Sequence, residues 1–71
     1  MNTVRLIEEI KRQEKLVAEV FAKYEKRKAQ FADGLLTYDE LGDYADMWYY
    51  ERTYLLAMKH DLRLVQEEDQ E

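Results

Sequence analysis

The chain has no cysteine, no serine and no proline, and its 71 residues include only two glycines, Gly34 and Gly42, and one histidine, His60. Each absence removes a class of chemistry. Without cysteine there is no disulfide to staple a small domain and no thiolate to hold a metal. Without serine or cysteine, nucleophilic work falls to threonine and tyrosine hydroxyls. Helical periodicity puts His60 on the face opposite the apolar residues, so a triad is excluded. A carboxylate-bridged metal pair in a bundle needs Glu-x-x-His on inward faces, and the residue three before His60 is Ala57. Paired carboxylates for acid–base work need a cleft, which so short a chain does not supply. We therefore expect no enzyme, no cofactor and no metal. No apolar run approaches the roughly 18 residues of a membrane span, and no hydrophobic region follows the charged N-terminus. The expectation is a cytoplasmic protein that does not enter a membrane.

What is present is helix composition. Charged residues make up 38% and hydrophobic ones 46%, with Ala, Leu, Glu and Lys prominent. The net charge of −5 is unevenly spread. Residues 1–32 carry eight Lys/Arg against five Glu, a net of +3, and residues 33–71 carry three against eleven acids, a net of −8. Halves of opposite sign attract when laid side by side. The overall acidity argues against direct binding of nucleic acid or an anionic membrane, both of which need a basic footprint.

The first 32 residues place Leu6, Ile10, Val17, Val20, Tyr24 and Phe31 at helical spacings, with Gln13 and Arg27 interrupting the stripe. Asp33-Gly34 ends that helix, because glycine adopts the left-handed C′ conformation at no steric cost. Thr37-Tyr38-Asp39-Glu40 is a capping box, with Leu36 before it placed to staple onto Leu41. A second helix then keeps a strict three-four alternation: Leu41, Tyr44, Trp48, Glu51, Leu55, Met58, Leu62, Val65. The fold class expected is all-α, an antiparallel two-helix hairpin over 1–66 with helices at 3–32 and 38–66 and a turn at 33–37. The acidic tail at 67–71 is expected to fray, since acids at a helix C-terminus oppose its dipole. Folding back brings Lys23, Lys26, Arg27 and Lys28 near Asp39, Glu40, Asp43 and Asp46. On that pairing Arg27 lies over Trp48 and Tyr24 donates to Glu51.

A second line runs beside the seam of the second helix: Met47, Tyr50, Tyr54, Ala57, Asp61 and Leu64, with Tyr49 and Leu56 on the seam's far side. Five of the six tyrosines and the only tryptophan fall within residues 38–54. One helix cannot cover so wide an apolar arc, and Tyr, Trp and Met are the residues that interface centres favour. Met47, Tyr49, Tyr50, Tyr54, Ala57, Asp61 and Leu64 are thus the expected partner-binding residues. The expected partner is first a second copy, giving a homodimeric four-helix bundle, and then a larger protein target.

Asp33-Gly34-Leu35-Leu36-Thr37-Tyr38-Asp39-Glu40-Leu41 resembles the second half of an EF-hand loop, with Asp33 at loop position 5, Gly34 at the sharp turn, Thr37 at position 9 and Glu40 at position 12. The resemblance implies calcium ligation by these side chains, but Ala29 and Phe31 stand where two more oxygen ligands belong. The segment from Phe31 into the second helix is also similar to the periplasmic hairpins of TolC-like efflux ducts. A hairpin turn by itself accounts for both likenesses, and no function is carried over from either.

The function expected is a non-enzymatic protein–protein interaction module: a small acidic helical protein that self-associates and binds or inhibits a larger one. By analogy of size and charge it suits antitoxins, immunity proteins and phage-encoded inhibitors. Two alternatives stay open. One is a DNA mimic that inhibits a nucleic-acid-binding protein, and the other is a purely structural coiled-coil oligomer.

Overall fold

Two helices and one tight turn account for residues 3–69, which the computed structural model describes. Helix α1 is Thr3–Ala32 and helix α2 is Tyr38–Asp69, packed antiparallel into a hairpin. Gly34, at φ +78°, supplies the left-handed residue that stops α1. Its amide donates to the Phe31 carbonyl at 3.0 Å and the Leu35 amide to Gln30 at 2.9 Å, the paired bonds of a Schellman end. Thr37 starts α2. Its hydroxyl accepts from the Glu40 amide at 3.1 Å and donates to the Glu40 carboxylate at 2.9 Å. The Glu40 side chain thus closes the box on the hydroxyl rather than on the Thr37 amide.

The second helix passes the expected end at 66 and includes Glu67, Glu68 and Asp69. Glutamate is a good helix former, and the dipole term against an exposed acid at a C-terminus is only about 0.3–1 kcal/mol. Gln70 and Glu71, the rest of the expected frayed tail, lie outside the described residues, as do Met1 and Asn2.

Packing along the seam falls into three zones. At the open end, Ile10, Leu55 and Met58 form the buried core, with Leu6, Val17 and Leu62 against it. One turn further in, Gln13 is buried, and its side-chain amide donates to the Glu51 carboxylate at 2.6 Å and to the Glu51 carbonyl at 3.0 Å. Toward the turn the seam becomes aromatic. Tyr24 stacks on Trp48 (centroids 6.0 Å apart, planes 7° from parallel), and Phe21 meets the same indole at 5.5 Å. Arg27 sits 5.1 Å over Tyr44, and Lys28 5.3 Å over Tyr24.

Two expected contacts are therefore replaced. Arg27 lies over Tyr44, one turn before Trp48, and the partner of Glu51 is Gln13, not Tyr24. The short turn sets this register: Phe31 already meets Tyr38 edge-on at 6.3 Å, which draws the rest of α2 along α1 accordingly. The interhelical ion pairs do not form either. Among the described residues the two ion pairs, Arg5–Glu9 and Glu25–Lys28, both lie within α1.

Gly42 is a helix-interior glycine with nothing within 4 Å of where a Cβ would stand. Gly42→Ala should therefore stabilise the hairpin by about 0.5–1 kcal/mol, the helix-propensity difference. Thermal unfolding followed by circular dichroism checks this, with a rise of about 4–8 °C per kcal/mol for a domain of this size.

Candidate interaction surfaces

A hairpin of two helices is a single layer. Its Cα extents are 56 × 15 × 13 Å, so the side chains flanking the seam remain open on both broad faces. Among the described residues no side chain is fully buried, and the buried hydrophobic core is limited to Ile10, Val20, Leu55 and Met58. Amphipathic spacing on α1 satisfies one face of α2, and the wide apolar arc of α2 spills to either side of it.

On one side runs the tyrosine line. Met47, Tyr50, Tyr54 and Leu64 keep between 45% and 67% of their surface exposed, and Ala57 and Asp61 between them are exposed as well. Of these, only Tyr54 borders the groove between the helices on this side, a hollow of about 470 Å³ shared with Glu9, Arg12, Gln13, Leu16 and Met58. The neighbouring surface of α1 is charged, which leaves the apolar residues of this face concentrated on α2.

On the other side lies a groove of about 460 Å³ with a different character. Val17, Ala18 and Phe21 from α1 and Trp48, Leu55 and Leu56 from α2 form its floor, and Glu14, Arg52 and Lys59 stand at its edge. The Arg52 guanidinium lies 5.7 Å over the Trp48 ring. Tyr49 belongs to this side: 49, 52, 56, 59 and 63 follow one another at three- and four-residue steps, the spacing of one helical line. Grouping Tyr49 with Tyr50 and Tyr54 thus joins two surfaces that the seam keeps apart, because adjacent helical residues point about 100° from each other.

Sequence reasoning placed Leu56 beyond the seam but did not assemble this groove, which needs Phe21 and Trp48 brought together from opposite helices. One signal was available. All three cations of the second half (Arg52, Lys59 and Arg63) fall on that single line, and no acid does.

His60 is exposed, and among the described residues no group of three or more His, Cys, Asp or Glu is placed to hold a metal ion. Thr37 and Glu40, which the EF-hand resemblance would make ligands, are bonded to each other in the helix cap. Among the described residues no helix is long and apolar enough to cross a membrane. No protein-family model matches the chain, and no curated protein or solved structure matches it either.

Proposed function

We propose that this chain is a non-enzymatic protein-interaction module that self-associates through the tyrosine face of α2 and docks on a larger protein. The observation that carries the reading is the exposed apolar line Met47, Tyr50, Tyr54 and Leu64 on a hairpin only one layer thick. A compact monomer of this mass exposes roughly 4,700 Å² by the usual scaling, whereas this chain exposes 5792 Å². The excess is comparable to the roughly 800 Å² that one partner contributes to a standard interface. A second copy laid face to face on this line buries aromatic surface on both chains and gives a closed four-helix arrangement.

Charge supports the same geometry. On this side of the hairpin helical spacing puts Arg12, Lys23 and Lys26 of α1, against Glu9 and Glu19, and Asp43 and Asp61 of α2; of these only Glu9 is in an ion pair. A twofold partner sets the acidic α2 of one chain against the basic α1 of the other, which favours that pairing over a like-on-like one.

Mimicry of nucleic acid is the second reading, and one observation favours it. The carboxylates of Asp39, Asp43 and Asp46 are not neutralised by ion pairs from α1. It ranks below self-association because exposed Met47 and Tyr50 sit next to these acids, and a phosphate backbone has no counterpart for them.

Sedimentation of the wild-type protein over a range of concentrations tests the proposal. The expected result is a mass of two chains that falls toward one on dilution, with a melting temperature that rises with concentration. A monomer at every concentration, melting at one temperature, overturns the self-association.

A further inference from the structure

The tyrosine face leaves the Trp48 groove unassigned, and its charge says what fills it. The chain as a whole is acidic, at −5, and residues 33–71 are more so. Yet the line of α2 whose Arg52, Leu56 and Lys59 border this groove, and which runs from Tyr49 to Arg63, carries every cation of α2 and no carboxylate. Lys59 and Arg63 are exposed, and Arg52, Lys59 and Arg63 are all outside any ion pair. The floor is apolar and includes the only tryptophan, and its edge carries two cations, Arg52 and Lys59, against one carboxylate, Glu14 of α1. From Trp48 to Lys59 the groove runs along about 16 Å of helix at 1.5 Å per residue, the length of three turns.

The geometry points to this groove as the docking site for an acidic amphipathic helix of a partner protein. Its apolar side chains, at i, i+3/i+4 and i+7, lie on Phe21, Trp48 and Leu56, and its carboxylates face Arg52 and Lys59 and, one turn beyond the groove, Arg63. Helix-in-groove recognition needs this combination: an apolar trough to supply affinity and a charged margin to set partner choice. Seated there, the partner helix adds a third helix to the layer and covers the surface that a two-helix seam leaves open. A second copy of this chain is a poorer occupant. Its own acidic apolar helix face would enter head to tail, and such contacts propagate into open assemblies rather than closing.

This inference rests on the reading of the chain as a binding module and assigns the target to the face opposite the self-association surface. The two fail separately, because one is read by sedimentation of the protein alone and the other by peptide binding.

The probe is a synthetic helical peptide with leucine at every i and i+3/i+4 position, glutamate and alanine elsewhere, and no Trp or Tyr. Its twin carries lysine for glutamate. Trp48, in the groove floor, is the reporter. The expected result is a saturable change in Trp48 fluorescence with the glutamate peptide, weakening as salt rises, and about tenfold weaker binding of the lysine twin. Arg52→Glu with Lys59→Glu should reverse that preference. Because Arg52 also packs on Trp48, Lys59→Glu alone serves as the variant that touches only the groove edge, and it should narrow the preference. Leu56→Asp, at an exposed position of the floor, should abolish binding while leaving helicity unchanged. The assignment is overturned if the glutamate peptide gives no saturable change, if both peptides bind alike, or if the preference survives the charge reversals. It is equally overturned if Lys59→Glu changes the sedimentation of the protein alone, since the groove would then be filled by a second copy.

Discussion

Gln13→Leu alone should lower the melting temperature, whereas Gln13→Leu combined with Glu51→Leu should restore or raise it. Gln13 keeps 9% of its surface exposed, in the middle of an otherwise apolar seam. Its amide holds the Glu51 carboxylate at 2.6 Å, a hydrogen bond to a charged group, worth about 1.5–3 kcal/mol in favourable settings. Removing one partner strands the other. With leucine at 13, the Glu51 carboxylate faces apolar side chains on one flank and recovers only the water that reaches its half-buried position. The single variant should therefore lose about 1–3 kcal/mol, the range for an unsatisfied polar group, with the larger values excluded by that residual hydration. Replacing both removes the conflict, and exchanging a buried polar pair for packed apolar residues is often neutral or favourable. The cost should appear elsewhere. With Gln13 and Glu51 gone, the seam line of α2 is without a charged residue and that of α1 keeps only Arg27 as an interruption, so one pairing is less well distinguished from a slipped one. The double variant should thus melt higher yet sediment as a mixture. Should the single variant be as stable as wild type, the clamp contributes nothing to the fold.

The same pair shows how far the sequence can be read. Every residue of the three-four line from Leu41 to Val65 is buried or half-buried, and both flanking lines of α2 are exposed except near the turn. The seam was legible because one period and one short turn suffice to define it. Register was less so. The three-four spacing alone does not say whether Glu51 faces Tyr24 or Gln13, and Gln13 read as an interruption of its stripe when it is the residue that answers Glu51. The turn residues contain the answer, but only through the three-dimensional path from Phe31 to Tyr38. The tyrosine line was legible as apolar surface in excess of one seam. The Trp48 groove was not, because half of its floor comes from α1, and which residues of α1 stand opposite Trp48 depends on register.

Tyr54→Glu should dissociate the proposed two-chain assembly without unfolding the hairpin. Tyr54 is half exposed and lies midway along the tyrosine line, between Tyr50 and Ala57. In the single hairpin a glutamate there meets water and has Arg12 and Gln13 across the groove, so the monomer bears no burial penalty and its helicity should match wild type. In a face-to-face dimer the same carboxylate is removed from water, and twofold symmetry brings in a second one. Desolvation costs several kcal/mol for each buried charge, and even half of that weakens association by about 100-fold or more. The variant should sediment as one chain at concentrations where the wild type sediments as two, and its melting temperature should lose its dependence on concentration. Two further variants locate the effect. Tyr54→Phe keeps the ring and removes only the hydroxyl, so it should remain associated if area and shape carry the contact. Leu56→Asp introduces a charge two residues away but on the far side of the seam, so it should leave sedimentation unchanged. If Leu56→Asp dissociates the protein and Tyr54→Glu does not, the self-association face is the Trp48 groove and the assignment of the two surfaces is inverted.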